Sequence, residues 1–234
     1  MSMEIYSERA ALYDLIYHWK NYGREAERVR SLLLDEGVID GARVVEAACG
    51  TGQYLVALAP WYRVSGYDLN PGMVEVARSK GCSAQVADMR EHRPEVADAI
   101  VCLFSSIGYV APQDLPAVAA CWHASLQPGG VVLVEPWISP EMAQPGHMNV
   151  HTYESDDLRL VRAAVHHLDG PVSVLDFHWL VLRPTGIEHF VDAHRLHLST
   201  REELLGPFEQ AGFDARWEED GLMPGRGLII LRKR

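Results

Sequence analysis

The stretch Val44-Val45-Glu46-Ala47-Ala48-Cys49-Gly50-Thr51-Gly52 restricts the fold more than any other part of the chain. An apolar, β-branched run of this kind reads as a buried strand, and the glycines behind it as a sharp turn that meets a ligand. Gly50 and Gly52 leave no side chain between backbone and ligand and admit backbone angles that other residues avoid. Such a turn is a seat for a nucleotide. The dinucleotide spacing GxGxxG fails, because Leu55 stands where the third glycine belongs, and no GK[ST] follows to form a phosphate-cradling loop.

Two helices are expected ahead of this strand. Leu12, Leu15, Ile16 and Trp19 fall at helical spacing from Ser7 to about Trp19, and Ala26, Val29, Leu32 and Leu33 repeat the pattern. Tyr6, Tyr13 and Tyr17, close to Lys20 and Tyr22, give the first helix the character of a lid over the ligand. Behind the glycine turn, a helix over residues 53–59 leads to a second strand over 64–67 that ends at Asp68. An acid there can accept hydrogen bonds from both ribose hydroxyls, while Asn70 caps a helix that begins at Pro71. A short third strand over 83–86 precedes Asp88 and Met89, a carboxylate for an exocyclic amine beside a flat apolar side chain for an adenine face. The run 97–104 is apolar enough to be a central strand, and it ends in Ser105-Ser106-Ile107-Gly108-Tyr109 at the edge where open α/β sheets bind ligands.

A helix over 113–126 stops at Pro128-Gly129-Gly130, and a fifth strand over 131–134 delivers Glu135 and Trp137 to the same edge. The strand–helix alternation then ceases. Between Ser139 and Ser199, runs such as Val174-Leu175-Asp176-Phe177-His178-Trp179 alternate as antiparallel hairpins do. The chain therefore divides into a nucleotide-binding domain, 1–138 and 200–234, and an inserted platform for substrate or for a second subunit, 139–199. Thr200 with Glu203 forms a capping box ahead of Leu204, Leu205, Phe208 and Ala211, and residues 215–218 and 228–231 close the sheet as an antiparallel pair.

Lys plus Arg is 21 against 32 for Asp plus Glu, a net charge of −11 with no basic cluster, which argues against a nucleic-acid partner. No apolar run approaches membrane length and no signal peptide is visible, so a soluble, cytoplasmic protein is expected. Cys49, Cys82, Cys102 and Cys121 lie scattered in apolar surroundings as reduced core residues.

Glu46 to Gly52 resembles the Glu/Asp-x-x-x-Gly-x-Gly signature of class I S-adenosylmethionine (SAM) methyltransferases, with Ala48 in place of that loop's usual first glycine. Asp68, Asp88 with Met89, and Leu126-Gln127-Pro128-Gly129-Gly130 stand where the later motifs of that family stand. The narrower strings Tyr13-Asp14-Leu15-Ile16-Tyr17, Phe104-Ser105-Ser106-Ile107-Gly108, Val134-Glu135-Pro136-Trp137, His194-Arg195-Leu196 and Pro224-Gly225-Arg226-Gly227-Leu228 are similar to those of N-methyltransferases acting on nucleotide-linked 3-amino sugars. The resemblance implies a Rossmann-like class I methyltransferase sheet, mostly parallel with an antiparallel last strand, under an N-terminal helical lid and with the inserted β platform. It implies SAM as cofactor, S-adenosylhomocysteine as product, and cofactor contacts at Tyr13, Tyr17, Glu46, Ala48, Gly50, Gly52, Asp68, Leu69, Asp88, Met89, Phe104 and Ser105. It also places Arg226 at the substrate site, where its planar fork suits an anionic group; a structural ion pair is the other reading of that residue.

A SAM methyl is already electrophilic, so such an enzyme mainly aligns an attacking lone pair and receives a proton. Most of the eleven histidines fall between His147 and His197, and no HExxH spacing points to a metal. His178 and His194 are the candidates for the proton, with Asp192 able to orient His194 from the same strand face. Tyr109 stands where the related enzymes tend to carry a histidine. Tyr109, His178, His194 and Arg226 are thus expected to border a small-molecule acceptor, most simply an amine. Another natural-product or peptide acceptor, or a SAM-binding protein without transfer, remain the alternatives. The platform's strand edges need cover, which a homodimer would supply.

Overall fold

The structure is a computed structural model and describes Ile5 and residues 9–234. Tyr6 and Ser7, expected at the start of the lid, lie outside the described residues. Helix α1 spans Ala10–Ile16 and α2 Tyr22–Asp35, the second opening on an Asn21 side chain that accepts the Arg24 backbone N–H.

Seven strands form one sheet in the order β10-β11-β5-β4-β1-β2-β3. Strands β1 (Arg43–Ala47), β2 (Arg63–Asp68), β3 (Ala84–Val86), β4 (Ala97–Cys102) and β5 (Leu126–Val134) run parallel, whereas β11 (Leu228–Lys233) pairs antiparallel with both β5 and β10 (Phe213–Glu218). Chain order reverses between β1 and β4, so the crevice of an open α/β sheet opens at their carboxyl ends. Alternation along β1 sends Val44 and Val45 into different cores. Val44 packs with Ala26, Val29 and Leu33 of α2 and Leu58 of α3 (Gln53–Leu58), while Val45 packs with Trp122 of α5 (Leu115–Ala124) and Phe208 of α6 (Arg201–Gln210). The capping box of Thr200 and Glu203 is present at the head of α6, and Asn70 accepts the Gly72 N–H at the head of α4 (Pro71–Ser79).

Two expected strands differ in length. Strand β5 begins at Leu126 rather than Val131, and its pairing with β4 slips between Ala97 and Ala99, so Gln127–Gly130 forms an irregular stretch within the strand. Strand β4 ends at Cys102 because Phe104 (φ 52°) and Ser105 (φ 62°) turn left-handed and pass into a 3-10 turn, Ser106–Tyr109.

The second sheet is antiparallel, in the order β6 (Met148–Glu154), β7 (Arg159–Asp169), β8 (Val172–Arg183), β9 (Gly186–His197). Its inner face packs Leu160, Phe177, Trp179 and Phe190 against Ile5, Leu12 and Ile16, so α1 lies on this sheet while presenting Tyr13 and Tyr17 at the edge of the same cluster.

Candidate active site

A cavity of about 280 Å³ opens at the carboxyl ends of β1, β2 and β4. Its wall includes Tyr13, Glu46, Ala48, Gly50, Asp68, Leu69, Asp88, Met89, Phe104 and Tyr109 from the sequence expectations. Tyr17, Gly52, Ser105, His178, His194 and Arg226 do not line it.

Backbone geometry at the glycine turn explains the shape of the wall. Gly50 (φ 53°) lines the cavity, and a Cβ placed on it would meet no protein atom within 4 Å. Gly52 (φ 79°) has the opposite role: a Cβ there would come within 3.0 Å of both Ala77 Cβ and Cys82 Sγ, so the turn is held against α4. Ala48 stands at φ 55°, a left-handed angle that costs an alanine about 1–2 kcal/mol. Phe104 and Ser105 share that conformation. The three non-glycine residues that carry it among the described residues are at or beside the cavity, the usual place for such strain.

The electrostatics divide the cavity. Glu46 is buried, its Oε2 has no hydrogen-bond partner among the described residues, and burial, reinforced by the nearby Asp68, raises its pKa well above the ordinary carboxyl range. An unpaired buried carboxylate is costly and is relieved by a cation. Asp68 accepts the Gly50 N–H at 2.9 Å and the Asn70 N–H at 2.8 Å, and burial raises its pKa too. Each carboxylate oxygen has a second lone pair, so these bonds leave acceptor capacity toward the cavity. Asp88 is held by Arg90 at 2.5 Å, which keeps its pKa below the usual value.

Around the rim, Asp14 of α1 accepts Thr51 Oγ1 and Lys80 Nζ, each at 2.5 Å, and Lys80 also donates to the Thr51 carbonyl at 2.8 Å. The lid is thereby tied to the glycine turn and to the end of α4. Behind the cavity, Lys20 donates to Glu25 at 2.5 and 2.6 Å and lies 4.4 Å from the Phe104 ring, and Glu25 also accepts the Tyr54 hydroxyl. Tyr22, named only as a neighbour of the lid tyrosines, lines the cavity, and Tyr54, Tyr67 and Arg90 line it without having been anticipated. Tyr22 and Tyr54 follow the lid and the glycine turn closely enough to have been found by position; Arg90 carried no signal.

The second sheet meets the cavity wall through Tyr109. Tyr109 Oη lies 2.5 Å from His194 Nδ1, and His194 Nε2 lies 3.1 Å from Asp192 Oδ2. His194 and Asp192 are both buried on the inner face, with the Phe177 ring 4.7 Å from the imidazole. Also on that face, Arg162 is buried with its guanidinium 4.8 Å from the Tyr17 ring and 4.5 Å from the Phe177 ring, and it donates to Tyr17 Oη at 2.8 Å. Tyr17 therefore forms a layer behind the wall, edge-on to Phe104.

Two expected acceptor residues are placed elsewhere. His178 is exposed on the outer face of the second sheet, stacked on His189 at 5.5 Å, because the β8–β9 register pairs it with Val191 while His194 pairs with Leu175. Arg226 turns into the protein, donating to Ser105 Oγ at 2.8 Å over the Trp137 ring at 4.6 Å, and its burial lowers its pKa. It braces the left-handed turn at 104–105, whose Phe104 N–H is accepted by Glu135 at 2.6 Å. Among the described residues no group of three or more His, Cys, Asp or Glu could hold a metal, and no helix is long and apolar enough to cross a membrane.

Comparison with known proteins adds the chemistry. A methyltransferase-domain family model matches residues 44–130. The chain is 35% identical over 230 residues to a dTDP-3-amino-3,6-dideoxy-alpha-D-glucopyranose N,N-dimethyltransferase of Streptomyces fradiae, covering 95% of this chain and 89% of that relative. Among solved structures, DesVI of Streptomyces venezuelae superposes with a TM-score of 0.90 at 30% identity over 97% of this chain and 99% of its own. CalS10, an amino pentose methyltransferase from Micromonospora echinaspora solved with SAM bound, gives 0.85 at 29% identity over 95% and 97%.

Proposed function

The chain belongs to the SAM-dependent methyltransferases, in the branch of the amino-sugar N,N-dimethyltransferases, and from that membership we propose that it methylates the amine of a nucleotide-linked amino sugar. SAM is the cofactor. It supplies a methyl group on a cationic sulfur that passes to a nitrogen lone pair and leaves S-adenosylhomocysteine.

The residues present suit that cofactor. Glu46, with its unpartnered carboxylate oxygen, would take the cationic amino group of the methionine end. Asp68 would accept the ribose hydroxyls, and Asp88, Leu69 and Met89 would border the adenine. Gly50 leaves the open space its missing Cβ would occupy, Ala48 lines the same wall, and Gly52 fixes the turn from behind. Phe104 faces the cavity from the far side, backed by Tyr17, Ser105 and Arg226. Tyr13 covers the opening and is itself so enclosed that burial holds its hydroxyl protonated.

The observation that carries the reading is a single cavity lined by both Glu46, whose Oε2 has no partner among the described residues, and Tyr109, whose hydroxyl meets His194 on the inner face of the second sheet. We place the acceptor between that face and the lid, so that residues 139–199 act as its platform. Arg162, which has no carboxylate within ion-pair distance among the described residues, is the platform cation best suited to an anionic part of the acceptor. The acidic net charge favours such a small molecule over nucleic acid. Free Cys49, Cys82, Cys102 and Cys121 accord with a reducing, cytoplasmic setting.

The test is release of S-adenosylhomocysteine when the protein and SAM meet a panel of dTDP-linked amino sugars, free amino sugars, peptides and hydroxylated natural products. Release with the nucleotide-linked amines is expected. Turnover of the peptides or hydroxyl compounds alone would reassign the acceptor, and tight SAM binding with no release on any member would make the protein a sensor.

A further inference from the structure

We propose that Tyr109, His194 and Asp192 form a proton relay that strips the acceptor's ammonium before each methyl transfer, with Tyr109 touching the amine and the other two positioning and charging the relay. The proposal rests on the methyltransferase reading above and deepens it.

The geometry runs in one direction, from the cavity wall into the second sheet. Tyr109 lines the cavity, its hydroxyl is 2.5 Å from His194 Nδ1, and His194 Nε2 is 3.1 Å from Asp192 Oδ2. An ionised carboxylate can only accept, so Asp192 takes the Nε2–H of a neutral imidazole and leaves the Nδ1 lone pair for the Tyr109 O–H. A phenol that donates inward still has lone pairs with which to accept from the cavity side. The charged and titratable groups around His194 fit this direction. Asp192 is on its own strand and Tyr109 reaches it from the 3-10 turn. Strand β8 presents the apolar Leu175 and Phe177, and beyond them β7 holds Arg162 against Phe177 and His166 on Gln144 and Ser173. Tyr13 approaches Tyr109 from the lid. Asp192 lies within hydrogen-bond reach to offset a positive imidazole, and its burial makes that attraction strong.

The amine of an amino sugar is cationic near neutral pH, and a protonated nitrogen has no lone pair to offer. In the relay, an N–H bond of the ammonium breaks as its proton joins the Tyr109 oxygen. The Tyr109 O–H breaks as its proton joins His194 Nδ1. The balance is ammonium plus neutral imidazole going to neutral amine plus imidazolium, with Tyr109 unchanged. Methylation regenerates a cationic nitrogen, so a second methyl needs the same step again. The imidazolium returns its proton to water through Tyr109 when the site opens. General bases of this kind contribute roughly 10²–10⁴-fold in rate.

The test uses Tyr109→Phe, His194→Gln, the double variant and Asp192→Asn, with SAM and a dTDP-linked 3-amino sugar. Tyr109→Phe and His194→Gln should each lower turnover by about 100-fold at neutral pH and accumulate the monomethyl product, with SAM affinity unchanged. The loss should shrink as pH rises and solvent removes the amine proton, and the double variant should be no worse than either single one, because the two groups act in series. Nitrogen NMR of His194 should show the proton on Nε2 in the wild type and a mixture of tautomers in Asp192→Asn. Tyr109→Phe removes one oxygen atom and keeps the ring packing, so its pH profile decides the matter even if His194→Gln fails to fold. Wild-type turnover and product ratio in Tyr109→Phe across the pH range, or losses that multiply in the double variant, would overturn the relay. If the wild type turns over no amino sugar at all, the methyltransferase reading has failed instead.

Discussion

Glu46 holds a carboxylate oxygen with no partner among the described residues, and its environment determines how the protein meets its cofactor. Burial raises its pKa in the unliganded protein, so this group favours the fold at low pH and that contribution is lost as pH rises through the folded value. A cationic ligand reverses the preference and drives the proton off, so SAM should bind more tightly as pH rises toward the raised pKa of Glu46. Glu46→Gln should weaken SAM by roughly 10–100-fold, the worth of a hydrogen bond to a charged group, and flatten that pH dependence; titration calorimetry in buffers of different ionisation enthalpy measures both. Glu46, Asp68 and Asp88 could be placed on the cavity wall from the sequence because each stands at or just past the carboxyl end of a strand that the residue pattern marks. Arg226 was expected beside the acceptor, with a structural ion pair as the other reading. An arginine ahead of a glycine signals a close approach, and only the fold tells whether the guanidinium meets a ligand or, as here, Ser105 and Trp137.

At the scale of elements, α1 works as a lid because one carboxylate, Asp14, holds both Thr51 and Lys80. Asp14→Asn removes the charge from both bonds and should speed release of S-adenosylhomocysteine by about tenfold or more without altering the sheet. Stopped-flow fluorescence of Trp19, which is half-exposed and stacked on His151, follows the lid directly; an unchanged off-rate would mean that the lid is held by its apolar face alone. The helices, the capping box at Thr200 and the alternating runs of the platform were all visible in the sequence. The facing of those runs was not. Paired residues of β8 and β9 have numbers of opposite parity, fixed by the two-residue connection Pro184-Thr185, so the even-numbered His178 and His194 fall on opposite faces. Period two placed Asp192 beside His194 within one strand; it carries no information across a turn.

For the whole molecule, the second sheet has one face committed to the lid and the cavity and the other open. That outer face exposes Met148, Val150, Val165, Leu180, Ile187 and Val191, more apolar surface on one side of a sheet than a monomer comfortably leaves in water. A twofold pairing of two such faces is the simplest cover, and we expect a homodimer. Val150→Glu with Ile187→Glu should give a monomer that still binds SAM, read by sedimentation velocity; a wild type that sediments only as a monomer would remove the expectation. The sequence pointed to this assembly only through the need to cover strand edges, whereas the structure locates the apolar surface on the sheet's face.

All of these features serve one claim, that the molecule aligns an amino-sugar nitrogen with a SAM methyl and removes the nitrogen's proton. NMR of the product formed from SAM carrying an isotopically labelled methyl tests it most directly. The expected product carries labelled methyl groups correlated with the amine-bearing carbon of a dTDP-linked amino sugar, two on each nitrogen at completion. Label on a hydroxyl oxygen, or SAM bound tightly with no label transferred to any amine, would contradict it.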